Sequence, residues 1–141
     1  MLFVIRDLRV LILVSCYHGY LADLVLNRLL GCLNTDNTIC DVVWFAGAYE
    51  LGWLLKVNAV RYCVCVVLGF VLKGASDHST HVITSVYNTI LNYPVINAVY
   101  ALDCIEQAWR KAFGLNVDAL VTSLKCLLGA NVGAIVNDWR T

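Results

Sequence analysis

The chain has 141 residues, 10 Lys plus Arg against 10 Asp plus Glu, a hydrophobic fraction of 60% and a mean hydropathy of +0.73. That length fits a single domain over residues 1–141, and so apolar a composition excludes a disordered chain. Zero net charge with scattered basic residues argues against a nucleic-acid partner, because phosphate affinity depends on clustered Lys and Arg.

The elements follow in chain order. Val10 to Cys16 is a continuous apolar run that reads as a buried strand, and Tyr20 to Leu33 places apolar residues at spacings of three and four, the pattern of a helix. The same alternation returns with Asp41 to Ala46 and Tyr49 to Val57, then with Arg61 to Leu72 and Thr80 to Leu91. In the last of these helices Val82, Ile83, Val86, Tyr87, Ile90 and Leu91 share one apolar face. Pro94 stops that helix and opens the strand Val95 to Leu102. Asp103, three residues before Glu106, has the spacing of an acidic capping box and starts a helix to about Ala112. A final helix is expected over residues 117–134.

None of these segments suits a bilayer, which needs ~20 apolar residues in a row. The longest stretch without a charged residue, His78 to Leu102, is interrupted by Asn88, Asn92, Pro94 and Asn97, so no membrane partner is expected. The seven cysteines are odd in number and have no secretory signal ahead of them, which argues against a disulfide framework and for a cytoplasmic location. Cys63 and Cys65 are expected on one face of a strand as small apolar fillers.

Strands apolar on both faces, alternating with helices, indicate a four-stranded parallel sheet covered on both sides, an α/β fold in three layers. Ligands bind such sheets outside the carboxyl ends of the strands. Those ends are the loops at Tyr17-His18, Gly47-Ala48-Tyr49, Lys73 to His78 and Leu102-Asp103. The third loop, with Gly74, Ala75 and Ser76 ahead of a helix, suits an anion but carries neither a dinucleotide fingerprint nor a Walker loop. His78 falls at that helix's start, where the dipole favours a neutral imidazole able to accept a proton. The residues alone leave open whether His78 is functional or a surface side chain, and whether Glu50 binds a ligand or simply complements its own helix dipole. Asp77, His78 and His81 lack a fourth ligand at a sensible spacing, so a metal site is not expected.

Taken in order, the loops resemble those of the 6,7-dimethyl-8-ribityllumazine synthase family. Phe45-Ala46-Gly47-Ala48-Tyr49-Glu50 is similar to the family's Val-Pro-Gly-Ala/Ser-aromatic-Glu. Leu68 to His78 (Leu-Gly-Phe-Val-Leu-Lys-Gly-Ala-Ser-Asp-His) is similar to Gly-x-x-Ile-Arg-Gly-x-Thr-x-His, and Asp103-Cys104-Ile105-Glu106-Gln107-Ala108 to Asp-Thr-x-Glu-Gln-Ala. The resemblance implies a flavodoxin-like three-layer α/β/α sandwich. It also implies condensation of 5-amino-6-(ribitylamino)uracil with 3,4-dihydroxy-2-butanone 4-phosphate, with loss of phosphate and water and with no metal or redox cofactor.

Carried over residue by residue, the resemblance implies that Tyr17 stacks on the pyrimidine and that Ala48, Tyr49 and Glu50 hold the ribityl chain. Phe70, Val71 and Leu72 would present backbone groups to the pyrimidine edge, Ala75 and Ser76 would bind the phosphate, and His78 would shuttle protons. Asn97 and Lys111 would reach the site from a neighbouring subunit of a homo-oligomer, a pentamer or a multiple of pentamers. The apolar helices at 80–92 and 117–131 would then be covered by neighbours.

The departures define the alternatives. Ala46 replaces the family's Pro, His18 an Asn, Ser79 an aromatic, Asn97 the ring-packing Phe and Lys111 the phosphate-binding Arg. Phe113-Gly114-Leu115-Asn116 stands for a Gly-Asn-Lys-Gly run and lacks its Lys. A family member that forms a shell or binds a flavin without turnover is therefore the second reading. An unrelated flavodoxin-like phosphate-binding domain is the third, and it would leave Glu50 and the segment from Asp103 to Ala108 unexplained.

Overall fold

The computed structural model describes residues 8–33, 38–58, 60–73, 78–90, 92–93, 95–115, 117–124 and 126. Strand β1 (Leu8–Ser15) leads into helix α1 (Gly19–Leu33), β2 (Thr38–Phe45) into α2 (Ala48–Asn58), β3 (Val64–Leu72) into α3 (His78–Ile90), and β4 (Val95–Leu102) into α4 (Ile105–Gly114). A further helical segment covers 117–124. No helix among the described residues is long and apolar enough to cross a membrane.

All four strands are parallel, in the order β2-β1-β3-β4. The register pairs Leu8 with Thr38 and Ser15 with Phe45 on one side of β1, and Val10 with Val64 and Val14 with Leu68 on the other. Because successive side chains of a strand point to opposite faces, the apolar run of β1 divides between two cores. Val10, Ile12 and Val14 pack with α1, α4 and the 117–124 segment, while Leu11 and Leu13 pack with α2 and α3. The result is the expected three-layer sandwich. Among the described residues no polar or charged side chain is buried.

Some local expectations are corrected. β3 begins at Val64, so Arg61, Tyr62 and Cys63 precede it in a bend. Strand alternation does not reach back to Cys63. Its side chain packs toward the α1 core, whereas Cys65 is buried in the α2 and α3 core. The helix at 103–112 is displaced: its N-cap is Cys104, which makes no side-chain cap, and Asp103 lies outside it. Gln107, one position beyond the expected Glu106, reaches back to accept the Asp103 N–H at 2.9 Å. On α3, Val86 and Ile90 are buried and Tyr87 is exposed, while Leu91, Pro94 and residues 127–134 of the expected elements lie outside the described residues.

The strand order locates the site. From β1 the chain moves to one edge of the sheet, and from β3 to the other, so the loops after β1 and β3 diverge. This is the switch point at which open α/β sheets bind ligands.

Candidate active site

The β1–α1 turn closes by a hydrogen bond from the Gly19 N–H to Cys16 O at 3.1 Å. Tyr17 and His18 occupy its two central positions, and His18 has a φ of 51°. Left-handed backbone of this kind is accessible to few residue types besides glycine, Asn and His among them. That accounts for a His where the resemblance expects an Asn. The Tyr17 N–H is held by Ser15 Oγ at 3.2 Å, and its ring is half-exposed at the carboxyl end of the sheet. Gly19 lets the Trp44 ring pack closely, since a Cβ there would stand 3.2 Å from Trp44 Cζ3 and the ring would have to give by a few tenths of an ångström.

After β2 the chain turns at Gly47 into α2, whose first turn carries Glu50. Glu50 Oε2 accepts the Ala46 N–H at 2.8 Å. The same device recurs at α4, where Gln107 accepts from Asp103, so α2 and α4 both begin with a third-position side chain holding the backbone just outside. Tyr49 is 98% exposed and turns away from the core of its own chain. Ala48 is the first residue of α2.

β3 extends past its neighbour. Its pairing with β1 ends at Leu68, yet it continues through Gly69, Phe70, Val71 and Leu72, matched there with β4 from Val99 to Leu102. On the β1 side those residues present a backbone edge beyond the last β1 pair, next to the turn that carries Tyr17. That edge suits the donors and acceptors of a planar heterocycle. Gly69 makes the approach possible, because a Cβ on it would lie 3.0 Å from the Ser15 Cβ. The Phe70 ring is buried and tilts against Tyr100 with centroids 5.5 Å apart. Beyond Leu72 the ladder gains one bond, from the Lys73 N–H to Leu102 O at 2.7 Å, and Lys73 Nζ lies 4.0 Å from Asp103 Oδ1. Ala75 and Ser76 lie outside the described residues. His78 is the first residue of α3, with its side chain outside what is described.

Tyr17, Glu50, Phe70 to Leu72 and the start of α3 are thus brought to one end of the sheet. Asn97 and Lys111 are not brought there in the same way. Asn97 pairs with Val67 in the middle of β4, five residues before Leu102, roughly 16 Å from the loops along the strand. Its Oδ1 accepts the Val99 N–H at 2.9 Å, covering part of an otherwise open sheet edge. Lys111 on α4 holds Nζ over the Tyr100 ring, 4.9 Å from its centroid. Burial raises the Tyr100 phenol above its ordinary pKa. No group of three potential metal ligands occurs among the described residues.

Sequence reasoning missed the aromatic row that leads from His18 to α4. His18 Nδ1 lies 3.3 Å from the Tyr20 hydroxyl, the Tyr20 ring lies 5.5 Å from that of Trp109, and Trp109 stacks on Phe113 at 5.5 Å. The spacing of Trp109 and Phe113, four apart on a helix, signalled their stack. No local signal placed Tyr20 against Trp109.

A family model for 6,7-dimethyl-8-ribityllumazine synthase matches residues 7–124. Curated relatives bearing that name include one from Chlamydia caviae, 26% identical over 136 residues that cover 85% of this chain and 88% of the relative. A second, from Chlamydia abortus, is 28% identical over 122 residues, covering 76% and 77%. A third, from a Synechococcus species, is 28% identical over 122 residues, covering 76% and 75%.

Proposed function

The chain belongs to the 6,7-dimethyl-8-ribityllumazine synthase family, and on that premise we propose that it acts in riboflavin biosynthesis as a transferase, condensing 5-amino-6-(ribitylamino)uracil with 3,4-dihydroxy-2-butanone 4-phosphate. One observation supports this reading: the Tyr17 turn, Glu50, the overhanging edge of β3 and the start of α3 lie at the same, carboxyl end of the parallel sheet, whose switch point falls between β1 and β3.

Tyr17 stacks on the pyrimidine, whose edge meets the backbone of Phe70, Val71 and Leu72. Ala48, Tyr49 and Glu50 take the ribityl chain, the carboxylate of Glu50 having a second oxygen beyond the one on Ala46. Ala75 and Ser76 give backbone N–H groups to the phosphate ahead of α3, whose N-terminal dipole favours an anion. His78 accepts the proton released as the pyrimidine amine attacks the ketone and returns it to the hydroxyl that leaves as water, and it then takes the C–H proton whose removal expels phosphate. Much of the acceleration comes from holding two substrates in register, which can supply several kcal/mol without further chemistry.

Asn97 and Lys111 complete the site from a neighbouring copy in a homo-oligomer, a pentamer or a multiple of it. Support comes from Tyr49, Trp53, Val57 and Val60, an apolar stripe exposed along and just past α2. A cytoplasmic setting is supported by the odd number of cysteines, seven, which argues against a disulfide framework.

The test is incubation of the purified protein with both substrates, followed by the absorbance and fluorescence of a lumazine. No product refutes the enzymatic reading. In that event the second reading, a family member that assembles or binds a flavin without turnover, gains from two engagements. Asn97 is occupied with Val99, and Lys111 rests on its own Tyr100. A sedimentation mass near that of one chain at micromolar concentration would refute the assembly.

A further inference from the structure

His18 is the one non-glycine residue with positive φ among the described residues. That backbone turns its imidazole onto the residue before it: the Tyr17 and His18 ring centroids lie 4.3 Å apart at an interplanar angle of 73°, an edge-to-face contact. From the other side the imidazole meets Tyr20, with Nδ1 and the hydroxyl 3.3 Å apart and the rings at 5.9 Å. Tyr20 in turn lies against Trp109.

The far end of this row is anchored. Arg28 of α1 donates to the carbonyls of Ala112 at 2.8 Å and Leu115 at 2.6 Å, which fixes the C-terminal end of α4 to α1 independently of the rings. Tyr20 and Trp109 therefore stand on two elements already locked together. By contrast, Tyr17 has Ser15 Oγ for its backbone and the His18 ring for its side chain.

An exposed tyrosine that must be ordered when a ligand arrives costs affinity, and one held in its bound pose beforehand does not. We infer that His18 is a positioning residue: braced by Tyr20 against α4, it fixes the pose of the Tyr17 ring and so sets affinity for the pyrimidine without touching it. This rests on the stacking role proposed for Tyr17. Asn tolerates the same left-handed backbone, so replacing His18 by Asn keeps the turn while removing the bracing ring.

The experiment is a double-mutant cycle on the full-length protein with Tyr17→Ala, His18→Asn and Tyr20→Phe. Two readouts are taken: steady-state kinetics, and equilibrium binding of 5-amino-6-(ribitylamino)uracil alone by quenching of tryptophan fluorescence. His18→Asn keeps the turn and removes the ring, while Tyr20→Phe keeps the ring and removes the hydroxyl. Each is expected to raise the KM and Kd for the pyrimidine ~3- to ~10-fold, the size of one ring contact or one hydrogen bond. The kcat, the KM for the phosphate substrate and the thermal midpoint should stay within about twofold or a few degrees of wild type. In a Tyr17→Ala background His18→Asn should have no further effect, since positioning acts only through the ring it positions.

If His18→Asn weakens binding equally with and without Tyr17, the imidazole contacts the ligand directly and the inference is wrong. If Tyr17→Ala weakens binding while His18→Asn and Tyr20→Phe do not, the stacking role stands and the bracing falls. If Tyr17→Ala has no effect either, the stacking role itself fails, and the inference goes with it. Should the protein form no lumazine, the binding measurement still decides.

Discussion

Glu50 Oε2 and the Ala46 N–H lie 2.8 Å apart across the turn that opens α2. One carboxylate therefore holds its own helix start through Oε2, while no bond to its Oε1 occurs among the described residues. Separating this hold from the proposed ribityl contact requires two substitutions. Glu50→Gln keeps an acceptor for the Ala46 N–H, and its thermal midpoint should match wild type while the KM for the pyrimidine rises. Glu50→Ala loses both, and denaturant titration should show a loss of about 0.5–2 kcal/mol, the range for a lost helix-start bond. Equal stability of the two variants would show that the bond contributes nothing.

For His78, first residue of α3, replacement by Ala should lower kcat by ~10- to ~100-fold, at or below the usual range for general acid–base catalysis. Binding of the pyrimidine alone should be unaffected. An unchanged kcat would remove His78 from the mechanism.

Arg28 caps α4 from outside, donating to Ala112 O at 2.8 Å, Phe113 O at 3.4 Å and Leu115 O at 2.6 Å. A cation at a helix C-terminus also complements the dipole. Arg28→Met keeps the aliphatic stem and should cost about 1–3 kcal/mol by urea unfolding. Arg28→Lys, which lacks the planar fork, should recover only part of that.

A pH-dependent contribution comes from Asp41. The Tyr62 hydroxyl, donating at 2.7 Å, and the Arg9 guanidinium at 3.3 Å hold the Asp41 carboxyl below its ordinary 3.8. The same hydrogen bond, with burial, holds the Tyr62 phenol above its ordinary 10.0. A lowered carboxyl stabilises the fold above its unfolded pKa, and that contribution is lost as pH falls through the folded value. A raised phenol stabilises it below its unfolded pKa, and that contribution is lost as pH rises through the folded value. Tyr62→Phe should thus cost ~0.5 to ~1 kcal/mol near neutrality, a modest figure because Arg9 and Asp41 are half-exposed. The difference from wild type should shrink as pH falls below the ordinary 3.8 of Asp41 and again as it rises above the ordinary 10.0 of Tyr62. A deficit constant across pH would assign the loss to packing.

Gly69→Ala tests the overhang of β3. The new Cβ would stand 3.0 Å from the Ser15 Cβ, so β1 must shift at the residue whose Oγ holds the Tyr17 N–H. A stability loss of about 1–3 kcal/mol is expected, together with a raised KM for the pyrimidine. Wild-type values for both would show that the two strands part freely.

The sequence by itself determined the layers. Apolar runs too continuous for one-sided burial, such as Val10 to Val14 and Val64 to Leu68, have to be covered on both faces, and helices spaced between them do the covering. It also determined which loops hold Tyr17, Glu50 and His78, because residues at the end of a strand stay there whatever the strand order. Local pattern reports local burial and nothing about neighbours. Whether Cys63 shares a face with Cys65 depended on where β3 begins, which is set by its pairing with β1. The open edge of β3 exists because β1 stops short of it, and Asn97 became a cover for β4 because that strand lies at the edge. Only tertiary packing, by laying α1 beside α4, brought Tyr20 to Trp109 and so connected the turn of Tyr17 to a helix nearly ninety residues away.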